Sequence, residues 1–162
     1  MSIEAPPGRV DEVVSRAVEA HRGSRGALLP ILHAVQEELG HVPPSVVPVL
    51  ADRLNLSTAE VHGVVTFYRD FRTTPPGRVT VRVCRAEACQ AVGGEALMEH
   101  AAASLGVVRG GTTADGAVTL DEVFCLGNCA LGPAVQVGDR LHGRVTPARL
   151  DALIGQTRGQ AR

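Results

Sequence analysis

The feature that most limits what this chain can become is the placement of its four cysteines. Cys84, Cys89, Cys125 and Cys129 all lie in the second half, spaced as C-x4-C, then 35 residues, then C-x3-C. Two local pairs separated by a long segment bring four sulfurs to one point when each pair hangs from the end of one of two neighbouring strands. Their chemistry depends on the compartment. The N-terminus, MSIEAPPGRVDEVV, has neither a basic start nor a continuous apolar run, so no secretory signal is expected. The longest apolar stretch, Ala27 to Val35, is broken by Pro30 and His33, and it falls well short of the roughly 18 residues a membrane span needs. A cytoplasmic location is therefore expected. In that reducing compartment four thiols serve as metal ligands or catalytic groups rather than as structural disulfides.

Three chemistries use four thiols. A thiol-disulfide exchanger wants C-x-x-C at a helix N-terminus, and neither pair has that spacing. A structural zinc site, in an assembly or interaction module, accepts about two to four residues between paired cysteines. A 2Fe-2S cluster also takes four thiolates and spans more space than one zinc, which suits the wider gaps. Leu126-Gly127-Asn128, between the last two cysteines, favours a loop whose backbone N–H groups approach the sulfurs closely. Such contacts raise a cluster's reduction potential by stabilising the added electron. Arg85, beside Cys84, acts in the same direction if it faces the sulfurs, and Glu87 in the opposite one. As solvated loop charges, both are screened and do neither.

Around this constellation the chain sorts into two halves. In the segment Val10 to His21, Val10, Val13, Val14, Ala17 and Val18 follow the i, i+3, i+4, i+7, i+8 spacing of one helical face, and Gly23 and Gly26 end it. A second helix is predicted from Leu28 to Leu39, with Leu28, Ile31, Leu32, Val35 and Leu39 inward and Gly40 as its C-terminal cap. Ser45 is placed to cap a third helix through Leu54, and Ser57-Thr58-Ala59-Glu60 is a capping-box pattern that opens a fourth through Tyr68. The string RTTPPGR, Arg72 to Arg78, reads as a stiff linker. Beyond it, Val79, Val81 and Val83 alternate with polar residues as in a strand that ends at Cys84. A loop leads to a helix over Gly93 to Leu105, and a second strand over Val118 to Phe124 ends at Cys125. Val135 to Leu141 is a hairpin turning at Gly138-Asp139, and Thr146 starts a last helix that ends near Ile154. The expected organisation is α+β, with a helical bundle over residues 1–74 and a strand-and-helix domain over 75–162 that carries every cysteine.

At this point specific strings matter. AEVHGVVTFYRDF, VCRAEACQAVGGEAL and VFCLGNCALGPAVQVGDRLHGRVTP resemble the 2Fe-2S subunit family that includes the 24 kDa subunit of respiratory complex I and the small subunits of NAD-linked hydrogenases and formate dehydrogenases. The resemblance runs from about Ala27 to Ile154 and implies an N-terminal helical bundle followed by a thioredoxin-like ferredoxin domain. It also implies one 2Fe-2S cluster per chain, held by Cys84, Cys89, Cys125 and Cys129. Arg85-Ala86-Glu87-Ala88 between the first two cysteines, and Ala130-Leu131 in place of a Gly after Cys129, are similar to the gamma subunit of soluble, molybdenum-dependent, NAD-linked formate dehydrogenases. The implied partners are a flavoprotein subunit that binds FMN and NAD, and a molybdenum-containing formate dehydrogenase subunit. The implied role is electron transfer, with no substrate bound by this chain and the helical half as docking surface.

The other residues give blander readings. His21, His33, His41, His62, His100 and His142 are scattered without metal spacing and read as helix-surface or helix-end residues. Gly93-Gly94 lacks a phosphate-loop Lys and reads as a tight turn into a helix. Phe67, Tyr68 and Phe71 lie at helical spacing and are candidates for core first and for a partner interface second. Those three and Phe124 are the only aromatics, and the net charge is -1. Neither the stacking surface nor the basic excess of a nucleic-acid binder is present. No residue presents itself as a catalytic acid, base or nucleophile.

Overall fold

The computed structural model describes residues 7–160. Residues 1–6, which carry part of the expectation that no secretory signal is present, lie outside the described residues, as do the last two. The chain divides into two compact units, Met1–Pro75 and Pro76–Arg162.

The first unit is four helices: α1 (Pro7–Ala20), α2 (Leu28–Leu39), α3 (Val46–Leu54) and α4 (Thr58–Phe67). The apolar periodicity of the sequence becomes the buried face. Val10, Val13, Val14 and Ala17 of α1 pack with Ile31, Leu32 and Val35 of α2 and with Val46, Leu50 and Ala51 of α3, each fully buried Leu, Ile or Val contributing about 1.5–3 kcal/mol. Leu28 and Leu39, expected inside, are only partly buried at its rim. Gly40 ends α2 in the left-handed region, φ 77°, with its N–H on the Gln36 carbonyl. The capping box of α4 forms in full: Ser57 Oγ accepts from the Glu60 N–H, and the Glu60 carboxylate accepts from the Ser57 N–H at 2.8 Å. Ser45, by contrast, makes no side-chain cap, because the turn starts earlier, with the Val46 N–H on the Pro43 carbonyl. The chain after α4 is tied back to α2 by the amide of Gln36, which donates to the Asp70 carbonyl and accepts from the Arg72 N–H, both at 2.7 Å.

Two readings of this unit need correction. α4 stops at Phe67, so Phe67 and Tyr68 point into solvent, 78% and 41% exposed, and only Phe71 joins the core. His41, read as a helix-surface or helix-end residue, does follow the end of α2 but is buried there, and its Nδ1 lies 3.1 Å from the Leu39 carbonyl oxygen.

The second unit is a four-stranded sheet with helices: β1 (Val79–Cys84), α5 (Glu87–Gln90), α6 (Gly94–Leu105), β2 (Val118–Val123), β3 (Val135–Val137), β4 (Arg140–His142) and α7 (Pro147–Gln160). The strand order is β2-β1-β3-β4. β1 and β2 are parallel, with Val79 opposite Val118 and Cys84 opposite Val123; the link between them includes α6, as a parallel pair requires a long crossover. β3 lies antiparallel to β1, and β4 closes the expected hairpin about Gly138-Asp139. Val81, Val83, Leu120 and Val135 of the sheet pack against Leu97, Met98 and Ala101 of α6 and Leu150 and Ile154 of α7. Several boundaries differ from expectation: α6 opens at Gly94 rather than Gly93, and the hairpin runs to His142 rather than Leu141. β2 ends one residue early, leaving Phe124 exposed. α7 continues to Gln160 rather than stopping near Ile154. The supposed loop after Arg85 contains the short helix α5.

Candidate metal centre

β1 and β2 run in the same direction side by side, so the segments that carry the cysteines leave the sheet at one end, the carboxyl end at which open α/β sheets place their ligands. Cys84 is the last residue of β1, and its N–H bonds to the Ala134 carbonyl at 3.0 Å. Cys89 follows on α5. These two are buried, 2% and 1% exposed, and with Ala134 they form a small core against which Ala86, Val123 and Leu126 pack. Leu126 belongs to the segment between the other two cysteines, so the two loops share one apolar pocket.

Cys125 and Cys129 are exposed, with their sulfurs 3.9 Å apart. Cys125 takes φ 149°, a conformation that residues with a Cβ seldom adopt, and the Gly127 N–H donates to its sulfur at 3.3 Å. This is the close backbone approach the sequence L-G-N suggests. Cys129 opens a single 3-10 turn, Cys129–Leu131. The chain then passes directly beside the first pair: a Cβ added at Gly132 would stand 3.5 Å from the Cys89 sulfur and 2.9 Å from Val92 Cγ2. On the other side, a Cβ at Gly94 would stand 2.7 Å from the Cys89 carbonyl oxygen and 3.0 Å from that of Cys84. Gly93-Gly94 is thus a tight turn into α6, pressed against the backbone of both buried cysteines.

The electrostatics agree with this convergence. Burial pushes the Cys89 thiol up, and the neighbouring sulfurs of Cys84 and Cys129 push it further, against a lowering backbone hydrogen bond from Ala134. The Cys129 thiol is raised first by its hydrogen bond with Cys125, then by the charge on Cys125, by burial and by Cys84. Close thiolates repel, so the Cys89 and Cys129 thiols hold their protons more tightly than ordinary thiols, and a metal centre displaces those protons on binding. Among the described residues no three or more His, Cys, Asp or Glu side chains are grouped to hold one metal ion. The sulfurs stand instead as one buried pair and one exposed pair. Two thiolates at each of two irons is the donor set of an all-cysteine 2Fe-2S centre, and the residues present fit that group.

Next to the centre the structure decides between the two readings of Arg85 and adopts neither. Its side chain is only 17% exposed and does not lie free in solvent. Nε donates to Glu95 Oε2 at 2.7 Å, and Nη1 is bonded to Glu122. The bond from Glu122 is the main reason the guanidinium pKa is raised. Burial would raise the Glu95 carboxyl, but the bonds from Arg85 and Arg109 outweigh it and hold the group below its ordinary range. Glu87 is exposed at the first position of α5. Sequence reasoning missed Glu95, Glu122 and Arg109: strand register brings Glu122 to Arg85, the first turn of α6 brings Glu95, and Arg109 joins through the two carboxylates. The histidines take no part in the centre; His100 instead joins α6 to α7 through Asp151, at 2.9 Å.

Residues 14–158 match the family described as thioredoxin-like 2Fe-2S ferredoxin. The chain is 40% identical over 151 residues to a NADH-quinone oxidoreductase subunit of Rhizobium meliloti, covering 93% of this chain and 90% of that one. It is 32% identical to the NADP-reducing hydrogenase subunit HndA of Solidesulfovibrio fructosivorans, covering 88% of this chain and 84% of the relative. Among solved structures, the NAD+-reducing NiFe-hydrogenase in the air-oxidised state superposes with a TM-score of 0.66 at 27% identity. That match covers 83% of this chain, which spans 23% of the hydrogenase chain. Two cysteine pairs at the ends of adjacent parallel strands, in a chain matched over nearly all its length, make this protein a member of the thioredoxin-like 2Fe-2S ferredoxin family.

Proposed function

We propose that this chain is the electron-transfer subunit of an NAD-linked oxidoreductase, with one 2Fe-2S cluster on Cys84, Cys89, Cys125 and Cys129, working beside a flavoprotein subunit that binds FMN and NAD. The observation that carries the reading is the convergence of the two pairs, through the shared pocket of Cys84, Cys89, Ala134 and Leu126, at one end of β1 and β2. When bound, such a cluster supplies one-electron steps beside the two-electron hydride chemistry of NAD. The residues divide the remaining work. Cys84 and Cys89 hold their side of the centre away from water, and Ala86, Val123 and Leu126 close the apolar wall around them. Cys125 and Cys129 hold the side that reaches the surface, and the Gly127 N–H steadies negative charge on the Cys125 sulfur. In this reading residues 75–162 are the cluster domain. Residues 1–74 are a docking domain that presents Phe67 and Tyr68 to the flavoprotein.

For the parent complex we infer a cytoplasmic NAD-dependent formate dehydrogenase with a molybdenum-containing subunit. Arg85-Ala86-Glu87-Ala88 and Ala130-Leu131 support this assignment. A second reading, NADH-quinone oxidoreductase or an NAD-linked hydrogenase, is favoured by the 40% identity to the Rhizobium meliloti protein. No helix among the described residues is long and apolar enough to cross a membrane.

Two measurements test this. Purified chain is expected to be coloured and to hold about two irons and about two acid-labile sulfides. Colourless protein with one zinc, or a reversible disulfide without metal, defeats the cluster. Proteins that copurify with the chain are expected to include a flavoprotein and a molybdenum protein; a complex I peripheral arm without molybdenum overturns the formate assignment in favour of the second reading.

A further inference from the structure

We infer that Arg85 is a positioning residue for the metal centre: from the hub of a four-charge ring with Glu95, Glu122 and Arg109, its guanidinium fixes the two cysteine-bearing segments against each other and sets how tightly the cluster is held. The inference rests on the reading that the four cysteines hold a cluster. Arg85 follows Cys84 directly; its N–H bonds to the Val123 carbonyl at 2.8 Å, and its own carbonyl accepts from Gln90 Nε2, next to Cys89, at 2.7 Å. Glu95 is in the first turn of α6 and follows Gly94, which presses on the carbonyls of Cys84 and Cys89. Glu122 lies on β2, three residues before Cys125, opposite Val83 in the parallel register. Arg109 is bonded to Glu95 and stands 3.9 Å from Glu122. The next residue, Gly110, anchors that turn to β2 through its N–H on the Leu120 carbonyl at 2.7 Å. One side chain therefore joins the loop of the buried pair, the helix behind it and the strand that leads to the exposed pair.

The ring contains two guanidiniums and two carboxylates, so while closed it is neutral and exerts little net charge on the sulfurs. Its action is geometric. An isolated surface ion pair contributes little, because the side chains lose entropy and water screens the charges. Here both carboxylates are shared between two guanidiniums, the central one is largely covered, and the planar fork of Arg fixes direction as well as distance. Residues that hold metal ligands from behind typically cost 10- to 100-fold in metal affinity when removed, which sets the scale of about tenfold or more expected here.

The test uses the full chain loaded with its cluster. Loss of the cluster to an iron chelator is followed by visible absorbance, and the line width of the reduced centre by electron paramagnetic resonance. Arg85→Ala is expected to release the cluster about tenfold faster than wild type and to broaden the resonance, because the ligand segments sample a wider range of positions. Glu122→Gln should shift both readouts the same way by less. Arg85→Lys keeps the charge but loses the fork, and should fall between wild type and Arg85→Ala. Asp151→Asn is the control: it weakens the ties of His100 and Ser104 between α6 and α7 in the same unit, and should lower the melting temperature without altering release or line width. If Arg85→Ala does not fold, Glu122→Gln and Arg85→Lys carry the comparison. Release at the wild-type rate in the folded ring variants overturns the inference, as does equal acceleration by Asp151→Asn, which would mark a general loss of stability. A wild-type chain that takes up no cluster refutes the functional reading instead, so the two failures are distinguishable.

Discussion

The helical unit and the cysteine end of the sheet unit are held shut by different forces. In the first, long apolar side chains from α1, α2, α3 and α4 interlock in one cluster, and polar groups serve the helix ends. In the second, the sheet has a core of its own around Met98, Leu120 and Leu150, but the cysteine end contributes only Cys84, Cys89 and Ala134 as fully buried packing. What closes that end is backbone pressed on backbone at Gly94 and the charge ring of Arg85, around a Cys89 thiol raised by burial and by the neighbouring sulfurs. With the proposed cluster bound, such an end would draw cohesion from it, because metal binding and folding share the same free energy. A deletion in the helical unit should therefore cost stability without cost to the centre, and a small change at the cysteine end should do the reverse.

The largest effect is expected from Leu50→Ala. Leu50 is fully buried on α3, and truncating such a side chain costs about 2–5 kcal/mol through lost transfer energy and the cavity left behind. Denaturant unfolding followed by circular dichroism should show that loss, while iron per folded chain stays at the wild-type value. A parallel loss of iron would break the contrast between the two regions.

Gly94→Ala should give the opposite pattern. The added methyl would meet the Cys89 carbonyl oxygen at 2.7 Å, its carbon at 2.9 Å and the Cys84 carbonyl oxygen at 3.0 Å. All three are main-chain atoms that cannot swing aside, so the cost is about 1–3 kcal/mol of overpacking, and it falls on the segment that aims the buried pair. Iron content after reconstitution should drop, and the helical unit's unfolding should be unchanged. Full iron content would show that this end yields more easily than its geometry implies.

The same division of forces explains what was legible in the sequence. α2, the capping box, β1 and the hairpin at Gly138-Asp139 could be read because each is written in a local period or cap; the structure keeps the bounds of α2 and β1, forms the box and turns the hairpin where expected. α5 escaped because four residues are too few to establish a period. Ser45 misled because the Pro43-Pro44 turn already supplies the first bond that its side chain would have made. Phe67 and Tyr68 have helical spacing, but α4 ends beneath them, so spacing alone could not say that they face out. At the site, both cysteine pairs were legible as strand ends, and L-G-N as a loop with an N–H aimed at sulfur. The ring was not, since Arg85 lies 10 residues from Glu95 and 37 from Glu122. Only the parallel register of β1 and β2 makes Glu122 its neighbour.

The smallest contrast concerns acid. The Glu60 carboxyl is held below its ordinary range by the Ser57 N–H first and the Ser57 hydroxyl second, against a slight opposing effect of burial. A carboxyl whose folded pKa is depressed binds fewer protons in the folded state than in the unfolded one. Its contribution is complete above the unfolded pKa of about 4.3 and disappears as pH falls through the folded value. The helical unit's melting temperature should therefore fall as pH drops from about 5 towards 3. Ser57→Ala, which should cost about 1 kcal/mol at neutral pH, removes the hydroxyl but keeps the N–H, and should flatten that slope without abolishing it. Glu60→Gln removes the titrating group and should abolish the Glu60 share of the slope outright. Glu95, lowered by Arg85 and Arg109 against the effect of its burial, is untouched by either change. The acid response of the cysteine end should therefore persist in both variants. Thermal melts of wild type and the two variants across that pH range decide it. An unchanged slope in Glu60→Gln would mean that the cap of α4 contributes nothing to acid stability, and that the two regions answer acid through the same groups.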